Sequence, residues 1–195
     1  MTVTPELILA STSPYRRELL ARLRLSFSTR RPEVDEGHAA GEDPLGRAER
    51  LALAKAQAVS ALAPSAIVIG ADQVASCGGR ILDKPGDADQ ARIQLEHQSG
   101  RAVVFYSAVA VLWPARAYTD CFVDRTTVVL RTLTAGEISA YLAADRPFDC
   151  AGSLRSEGLG IGLCERIESR DPTGLIGLPL IRLAASLRSC GYAVP

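Results

Sequence analysis

A short apolar run that leads directly into a helix start restricts the fold of this chain more than any other feature. Residues 6–11 have the composition of a strand, and Ser13 and Pro14 suit the N-cap and first position of a helix over about residues 14–24. Leucines at helical spacing predict its buried face: Leu19, Leu20 and Leu23. The free N–H groups of such a helix start point to one place, so we expect an anion site there.

Two cations lie where the helix dipole disfavours them. Arg16 and Arg17 fall in the first turn of this helix, beside the partial positive charge of its N-terminus. We therefore expect a negative group close to this turn.

Strand and helix signals alternate through the first half of the chain. A helix is predicted from Asp43 and Pro44 to about residue 62, and the continuous apolar run within residues 66–74, AIVIGADQV, suits a strand that is covered on both faces. A turn at DKPG and a helix over about residues 87–98 follow. These β-α-β units predict parallel strands.

Antiparallel signals dominate the second half. Two β-rich segments, 102–113 and 117–131, are separated by Pro114-Ala115-Arg116 and predict a hairpin. The remaining predicted elements are a helix with a capping box at 134–137, a short strand at about 163–168 and a final helix over 179–189. The order of elements predicts a mixed α/β fold, and 195 residues suit one domain, or one domain with two lobes.

Composition excludes several classes of protein. The formal net charge is zero, so no overall field favours nucleic acid or an anionic membrane. No apolar run reaches the roughly 18 residues of a membrane span, and the N-terminus lacks a signal sequence. We therefore expect a cytoplasmic protein with no nucleic-acid and no membrane partner.

The thiol and imidazole groups are poorly placed for metal or disulfide chemistry. The five cysteines are scattered without a CxxC pair, which favours reduced, mostly buried thiols: Cys77, Cys121, Cys150, Cys164 and Cys190. His38 and His97 alone provide little for a histidine metal site or a catalytic triad. A metal ion would have to be a hard cation bound by carboxylates and phosphate.

Charged residues at predicted element ends are candidates for chemistry. Asp72 is predicted at the end of an apolar strand, where ligands collect in α/β sheets, although an aspartate there also suits a turn or cap. Three basic residues, Arg16, Lys55 and Lys84, and two carboxylates, Glu36 and Asp72, form the set that phosphoryl chemistry needs. Solvated lysines are the alternative for Lys55 and Lys84.

Two common nucleotide-binding motifs are excluded. The glycines at 158–162 precede a predicted strand, whereas the dinucleotide fingerprint requires a strand before it and a helix after it. A close-packed loop is the better interpretation. The sequence also has no match to the P-loop pattern.

Six motifs together resemble the Maf family of nucleoside triphosphate pyrophosphatases. They run from residue 7 to 181 in the family's order: LILASTSPYRRELL, PEVDE, GADQV, DKP, CAGSLRSEGLGI and DPTGLIGLPLI. The resemblance implies a single Maf-like domain over residues 1–195, with a central mixed sheet, a fold similar to that of inosine-triphosphate pyrophosphatases, and two lobes around an active-site cleft. It also implies a divalent cation, Mg²⁺ or Mn²⁺, and a homodimer.

The resemblance assigns roles to residues that match the family's motifs. Substrate binding is implied for Ser11, Arg16, Lys55 and Lys84. Asp72 is implied as the base that activates water, and Glu36 and Asp72 as the metal ligands. The implied reaction converts a nucleoside triphosphate to its monophosphate and pyrophosphate.

Three further positions distinguish branches of the family. Tyr15, Gln73 and Glu157 resemble the branch that acts on 7-methyl-GTP, although Trp is common where this chain has Tyr15. An aromatic ring attracts the cationic N7-methylguanine, and an acceptor-only carboxylate suits its N1–H and 2-amino donors. As alternatives, Tyr15 packs on its helix face and Glu157 pairs with Arg155.

Two other functions are compatible with the same residues. One is a pyrophosphatase that acts on dTTP or UTP. The other, from a different class, is a nucleotide-sensing regulator of septum formation without catalysis.

Overall fold

The computed structural model describes residues 5–195. Five helices are described: α1 (Pro14–Ala21), α2 (Pro44–Ser60), α3 (Ala88–Gln98), α4 (Ala135–Asp145) and α5 (Leu180–Ser189). Seven strands are described: β1 (Leu7–Ala10), β2 (Ser28–Thr29), β3 (Ile67–Cys77), β4 (Arg80–Leu82), β5 (Ala102–Trp113), β6 (Tyr118–Leu130) and β7 (Cys164–Glu168).

These strands form a mixed sheet. Its order is β2-β1-β3-β5-β6-β7, and β4 pairs with β3 beside this path. β1 is parallel to both β2 and β3, whereas β3 with β4 and β6 with β7 are antiparallel. The predicted fold class, mixed α/β with a central mixed sheet, is confirmed.

The chain divides into two compact units. The first contains the chain up to Asp72 together with Ser107–Asp124 and Asp171–Pro195, and the second contains Gln73–Tyr106 and Arg125–Arg170. The single domain with two lobes around a cleft stays a prediction.

The first unit buries both faces of its parallel strands. Alternate side chains of β1 and β3 point to opposite faces. One set packs with leucines of α1 and α5: Leu7, Leu9, Ile67, Ile69, Leu19, Leu20, Leu183 and Leu187. The other set packs with small side chains of α2: Ile8, Ala10, Val68, Ala56 and Val59. Helices on both faces explain why these strands are apolar without alternation.

The helix α2 lies unusually close to β3. Buried alanines at every fourth position, Ala48, Ala52 and Ala56, give the helix a smooth face. This face contacts Gly70, where an added Cβ would overlap the Ala52 carbonyl oxygen and the Ala56 backbone nitrogen. Gly70 therefore permits the close approach that places the side chains of α2 above β3.

The second unit has its own core. α3 packs against α4. Its buried apolar side chains come from both helices and from the strands: Ala91, Leu95, Phe105, Val128, Leu130, Ile138 and Leu142.

The predicted helix starts are confirmed. Ser13 Oγ accepts a hydrogen bond from Arg16 N, and Asp43 accepts from two amides of α2. Thr134 and Glu137 form the predicted capping box.

Several predicted boundaries are wrong. The strand predicted over 66–74 extends to Cys77, so Asp72 lies within β3 and not at its end. The strand continues past Asp72 because β3 pairs with β1 as far as Gly70 and then with β4 from Ala75. The short strands β2 and β4 were not predicted. The first helix ends at Ala21, before Arg24 adopts a left-handed φ of 55°.

Replacing Gly70 with alanine tests the close approach. We expect G70A to lower the free energy of unfolding by about 1–3 kcal/mol, because the added methyl group forces α2 away from β3. Urea unfolding measures this change. Gly162, where an added Cβ meets nothing within 4 Å, is the matched control, and G162A should change stability by less than about 0.5 kcal/mol. Equal effects of the two variants would contradict the packing described.

Candidate functional site

A buried lysine lies between two carboxylates in the first unit. The Lys55 Nζ atom of α2 is 2.7 Å from Asp72 Oδ1 and 2.8 Å from Glu36 Oε1. The Lys55 and Asp72 side chains are 7% and 10% exposed, whereas Glu36 is 59% exposed. The structure thus brings together three predicted site residues, and the solvated alternative for Lys55 is wrong.

The position of this ion pair follows from the packing of α2. Lys55 precedes Ala56, whose backbone lies against Gly70, and Asp72 is two residues beyond Gly70 on β3. A lysine ammonium is seldom buried unless it is paired, because removing a charge from water is costly. The two carboxylates supply this pairing, and Glu36 leaves one side of the cluster open to solvent.

The guanidinium of Arg16 lies in the field of the same carboxylates. Burial lowers the pKa of Arg16, and the negative charges of Asp72 and Glu36 oppose this effect. These carboxylates are the negative groups expected near the start of α1. Arg16 Nε also donates a hydrogen bond to the Gly177 carbonyl at 3.1 Å.

Ser11 shapes the turn between β1 and α1. Its side chain is buried, and its Oγ accepts from Ser13 N at 3.1 Å. Ser13 in turn caps α1 by accepting from Arg16 N. Ser11 therefore fixes the backbone from which Arg16 projects, and its contact with substrate stays a prediction.

Two arginines that the sequence patterns did not indicate hold the loop between β2 and α2, here called the acidic loop because it carries Glu33, Asp35 and Glu36. Arg47 Nη2 donates to the Glu36 carbonyl at 3.2 Å, and Arg50 Nη2 donates to the Gly37 carbonyl at 3.0 Å. Arg50 also pairs with Glu42, and this contact lowers the pKa of Glu42 to about 2. Arg47 lies eight residues before Lys55, so helical spacing places both residues on one face of α2. This spacing is the signal in the sequence that could have indicated Arg47.

The remaining predicted residues occupy different settings. Tyr15 is half-buried on α1, next to Arg16, and Gln73 is half-buried beside Asp72 on β3. Lys84 is exposed in the second unit, at a groove of about 220 Å³ that is also lined by residues of β4 and α3. The roles predicted for Tyr15, Gln73 and Lys84 stay predictions.

Glu157 is exposed on a closely packed loop of the second unit. The Tyr141 hydroxyl donates to the Ser153 carbonyl at 3.2 Å and accepts from Arg155 N at 2.9 Å. Burial raises the pKa of Tyr141 well above its usual range. An added Cβ at Gly160 would overlap the Arg155 carbonyl oxygen, so this loop requires glycine there.

The glycine-rich segment at 158–162 is followed by a strand, as predicted. Residues 159–163 form a short 3₁₀ helix, and β7 follows directly. The exclusion of a dinucleotide fingerprint is therefore confirmed. All five cysteines are free.

The donor set at the ion pair suits a hard cation. Among residues 5–195, no group of three or more His, Cys, Asp or Glu side chains is arranged to hold a metal ion. Glu36 and Asp72 nevertheless place two carboxylate oxygens around one cationic nitrogen. Mg²⁺ is commonly bound by one or two carboxylates together with substrate phosphates, so these residues fit such an ion in the presence of a nucleotide.

Among residues 5–195, none of the helices combines the length and the apolar composition that a membrane span requires. The predicted cytoplasmic location, homodimer and lack of a nucleic-acid partner stay predictions.

Comparison with known proteins gives one family. The profile of the family described as "Maf-like protein" matches residues 6–190. A relative from Xanthomonas oryzae pv. oryzae (strain MAFF 311018), named 7-methyl-GTP pyrophosphatase, is 53% identical over 98% of this chain and 100% of its own length. A relative with the same name from Albidiferax ferrireducens is 49% identical over 97% of this chain and 95% of its own length. Another, from Cupriavidus pinatubonensis, is 50% identical over 98% of this chain and 96% of its own length.

Solved structures give more distant likenesses. The Staphylococcus aureus Ham1 protein aligns with a TM-score of 0.46 and 14% identity over 65% of this chain and 72% of that chain. A HAM1 protein from Coxiella burnetii aligns with a TM-score of 0.41 and 13% identity over 82% of this chain and 98% of that chain.

Proposed function

This chain belongs to the family of Maf-like proteins, and on that premise we propose that it is a nucleoside triphosphate pyrophosphatase whose substrate is 7-methyl-GTP. The curated relatives at about 50% identity are named for this activity and extend over nearly the whole chain. The observation that supports the chemistry is the Lys55 ammonium, which lies within hydrogen-bond distance of both Asp72 and Glu36.

The reaction cleaves one phosphoanhydride bond. The oxygen of a water molecule bonds to the α-phosphorus, and the bond from this phosphorus to the α-β bridging oxygen breaks. The proton of the water passes to the Asp72 carboxylate, and the bridging oxygen leaves on pyrophosphate. A positioned carboxylate typically contributes about 10²- to 10⁴-fold to such a rate.

Cations stabilise the phosphates in this scheme. Arg16 and Lys55 supply two positive charges, and the resemblance to the family adds Lys84 as a third phosphate ligand. Arginine binds phosphate oxygens through its planar fork, and lysine acts as a point charge. Both kinds of group stabilise the charge that develops as the bridging oxygen leaves.

Glu36 and Asp72 are the residues that would hold a divalent cation, Mg²⁺ or Mn²⁺. Such an ion supplies neutralisation of the phosphate charge. Glu36 is the more exposed of the two, and the hydrogen bond from Arg47 to its carbonyl restricts its position.

Base recognition is assigned to Tyr15, Gln73 and Glu157. Tyr15 directly precedes Arg16 on α1, and in this proposal its ring lines the base pocket. A phenol ring attracts the cationic N7-methylguanine by about 0.5–2 kcal/mol. The Glu157 carboxylate, on a loop fixed by Tyr141 and Gly160, accepts from the two donors of the guanine edge.

A panel of nucleotides tests the activity. We expect pyrophosphate release from 7-methyl-GTP with Mg²⁺ or Mn²⁺, and we expect D72A to lower the rate at least about 10²-fold because the base is lost. The matched control is E33A, since Glu33 is an exposed carboxylate that precedes the site in the acidic loop.

The two other functions give different results in this panel. Preference for dTTP or UTP would identify the other branch of the family. No release from any nucleotide, together with measurable nucleotide binding, would indicate a sensor without catalysis and would contradict the proposal.

Exchanging Glu157 for glutamine tests the base contact. The amide retains the shape but replaces one acceptor with a donor, so it cannot accept from both N1–H and the 2-amino group. We expect E157Q to lower kcat/KM for 7-methyl-GTP roughly tenfold or more, with a much smaller change for UTP. Initial rates with both substrates measure the ratio, and equal losses would contradict the assignment of Glu157.

A further inference from the structure

We propose that Asp171 and Thr173 are positioning residues that hold the Gly177 carbonyl in place and thereby set the orientation of the Arg16 guanidinium. The proposal rests on the proposed function for its catalytic consequence, because Arg16 is there a phosphate ligand. The geometry itself concerns the first unit alone.

The contact between Arg16 and Gly177 joins distant parts of the chain. Arg16 Nε donates to the Gly177 carbonyl oxygen at 3.1 Å across 161 residues of sequence. A hydrogen bond at Nε fixes the plane of a guanidinium, and the two terminal nitrogens with the other donors lie in that plane. The direction of the Gly177 carbonyl therefore decides where these donors point.

The Gly177 carbonyl is set by a tight turn. Gly177 has a φ of 121°, a conformation that side chains disfavour. Its N–H donates to the Gly174 carbonyl at 3.0 Å and to the Thr173 carbonyl at 3.3 Å. The Gly174 carbonyl also accepts from the buried Ser107 hydroxyl of β5 at 2.6 Å, which attaches the turn to the sheet.

Asp171 connects the turn to the start of α5. Asp171 is 3% exposed. One carboxylate oxygen accepts from Thr173 N at 2.9 Å and from the Thr173 hydroxyl at 2.6 Å, and the other accepts from Ile181 N at 2.6 Å. A carboxylate at a helix N-terminus satisfies an amide that has no partner within the helix and is favoured by the dipole.

Thr173 links the two ends of the loop. Its hydroxyl donates to Asp171 and accepts from Leu180 N at 2.8 Å. The N-cap residue of α5 is Pro179, whose side chain makes no capping hydrogen bond. Thr173 and Asp171 therefore accept hydrogen bonds from the first amides of α5 in place of the N-cap residue. Gly177 lies in the segment between Thr173 and α5.

A neutral acceptor for Arg16 has a specific advantage at this place. Arg16 lies in the field of Asp72 and Glu36. Without the Gly177 carbonyl, the guanidinium would be drawn into an ion pair with one of these carboxylates, since charge-assisted bonds are the stronger ones. Such a pair would occupy the phosphate ligand together with either the proposed base, Asp72, or the proposed metal ligand Glu36.

A substrate-free measurement tests the orientation. T173V removes the donor to Asp171 and the acceptor for Leu180 with little change in volume, and T173S is the matched control because it retains both. In ¹⁵N NMR spectra, we expect the Arg16 Nε–H to be protected from solvent exchange in the unaltered protein and in T173S, and to lose this protection in T173V. R16K identifies the resonance. An unprotected Arg16 Nε–H in the unaltered protein, or equal protection in T173V, would overturn the proposal.

A double-mutant cycle tests the consequence for turnover. We expect T173V to lower kcat for pyrophosphate release roughly 10- to 100-fold, because a small misplacement of a positioned group is costly. In the R16K background, which has no Nε–H to orient, the same change should cost less than about threefold. A loss of equal size in both backgrounds would show a merely structural role and overturn the proposal.

Folding and function are separated by two controls. If urea unfolding shows that T173V is not folded, D171N takes its place in both experiments, since it replaces one of the two acceptor oxygens at the same junction with a donor. If the NMR result is as expected but the unaltered protein releases pyrophosphate from no nucleotide, the proposed function fails while the orientation of Arg16 by Asp171 and Thr173 is supported.

Discussion

The ion pairs of the buried Lys55 ammonium with Asp72 and Glu36 are the interactions on which the site depends. Lys55 lies on α2, and its depth follows from the contact of an alanine face with Gly70 on β3. Asp72, two residues beyond Gly70 on β3, pairs with the ammonium on its buried side. Glu36 pairs with the ammonium on the side that faces solvent. Because a buried charge without a partner is strongly unfavourable, the packing of α2 and the electrostatics of the site are coupled. A change that moves the helix also separates the charges.

Under the proposed function, the charges of the site require further cations to bind a polyphosphate. Arg16 and Lys55 balance Asp72 and Glu36, so a triphosphate adds negative charge that these four groups leave uncompensated. A divalent ion at the carboxylates would supply part of the missing positive charge. The backbone carbonyl of Gly177 completes this arrangement by binding Arg16 without adding a charge.

Local features of the fold could be predicted from the sequence, and long-range ones could not. Ser13, Asp43 and Thr134 each bond to amides within three residues, so their patterns are visible in the sequence. The pairing of Lys55 with Asp72 spans 17 residues, and only the charges themselves indicated it. The strand β4 has three residues, too few for a pattern, and its pairing extends β3 past Asp72. The link from Arg16 to Gly177 depends on tertiary contacts that no local pattern contains.

Binding of a non-hydrolysable substrate analogue tests the central claim most directly. Isothermal titration calorimetry would compare α,β-methylene 7-methyl-GTP with 7-methylguanosine, in the unaltered protein and in K55M. If Lys55 binds the polyphosphate, K55M weakens the binding of the triphosphate analogue about tenfold or more and leaves the affinity for the nucleoside within about twofold. Retained nucleoside binding also shows that the variant is folded. Unchanged affinity for the triphosphate analogue, or equal weakening of both ligands, would contradict the account.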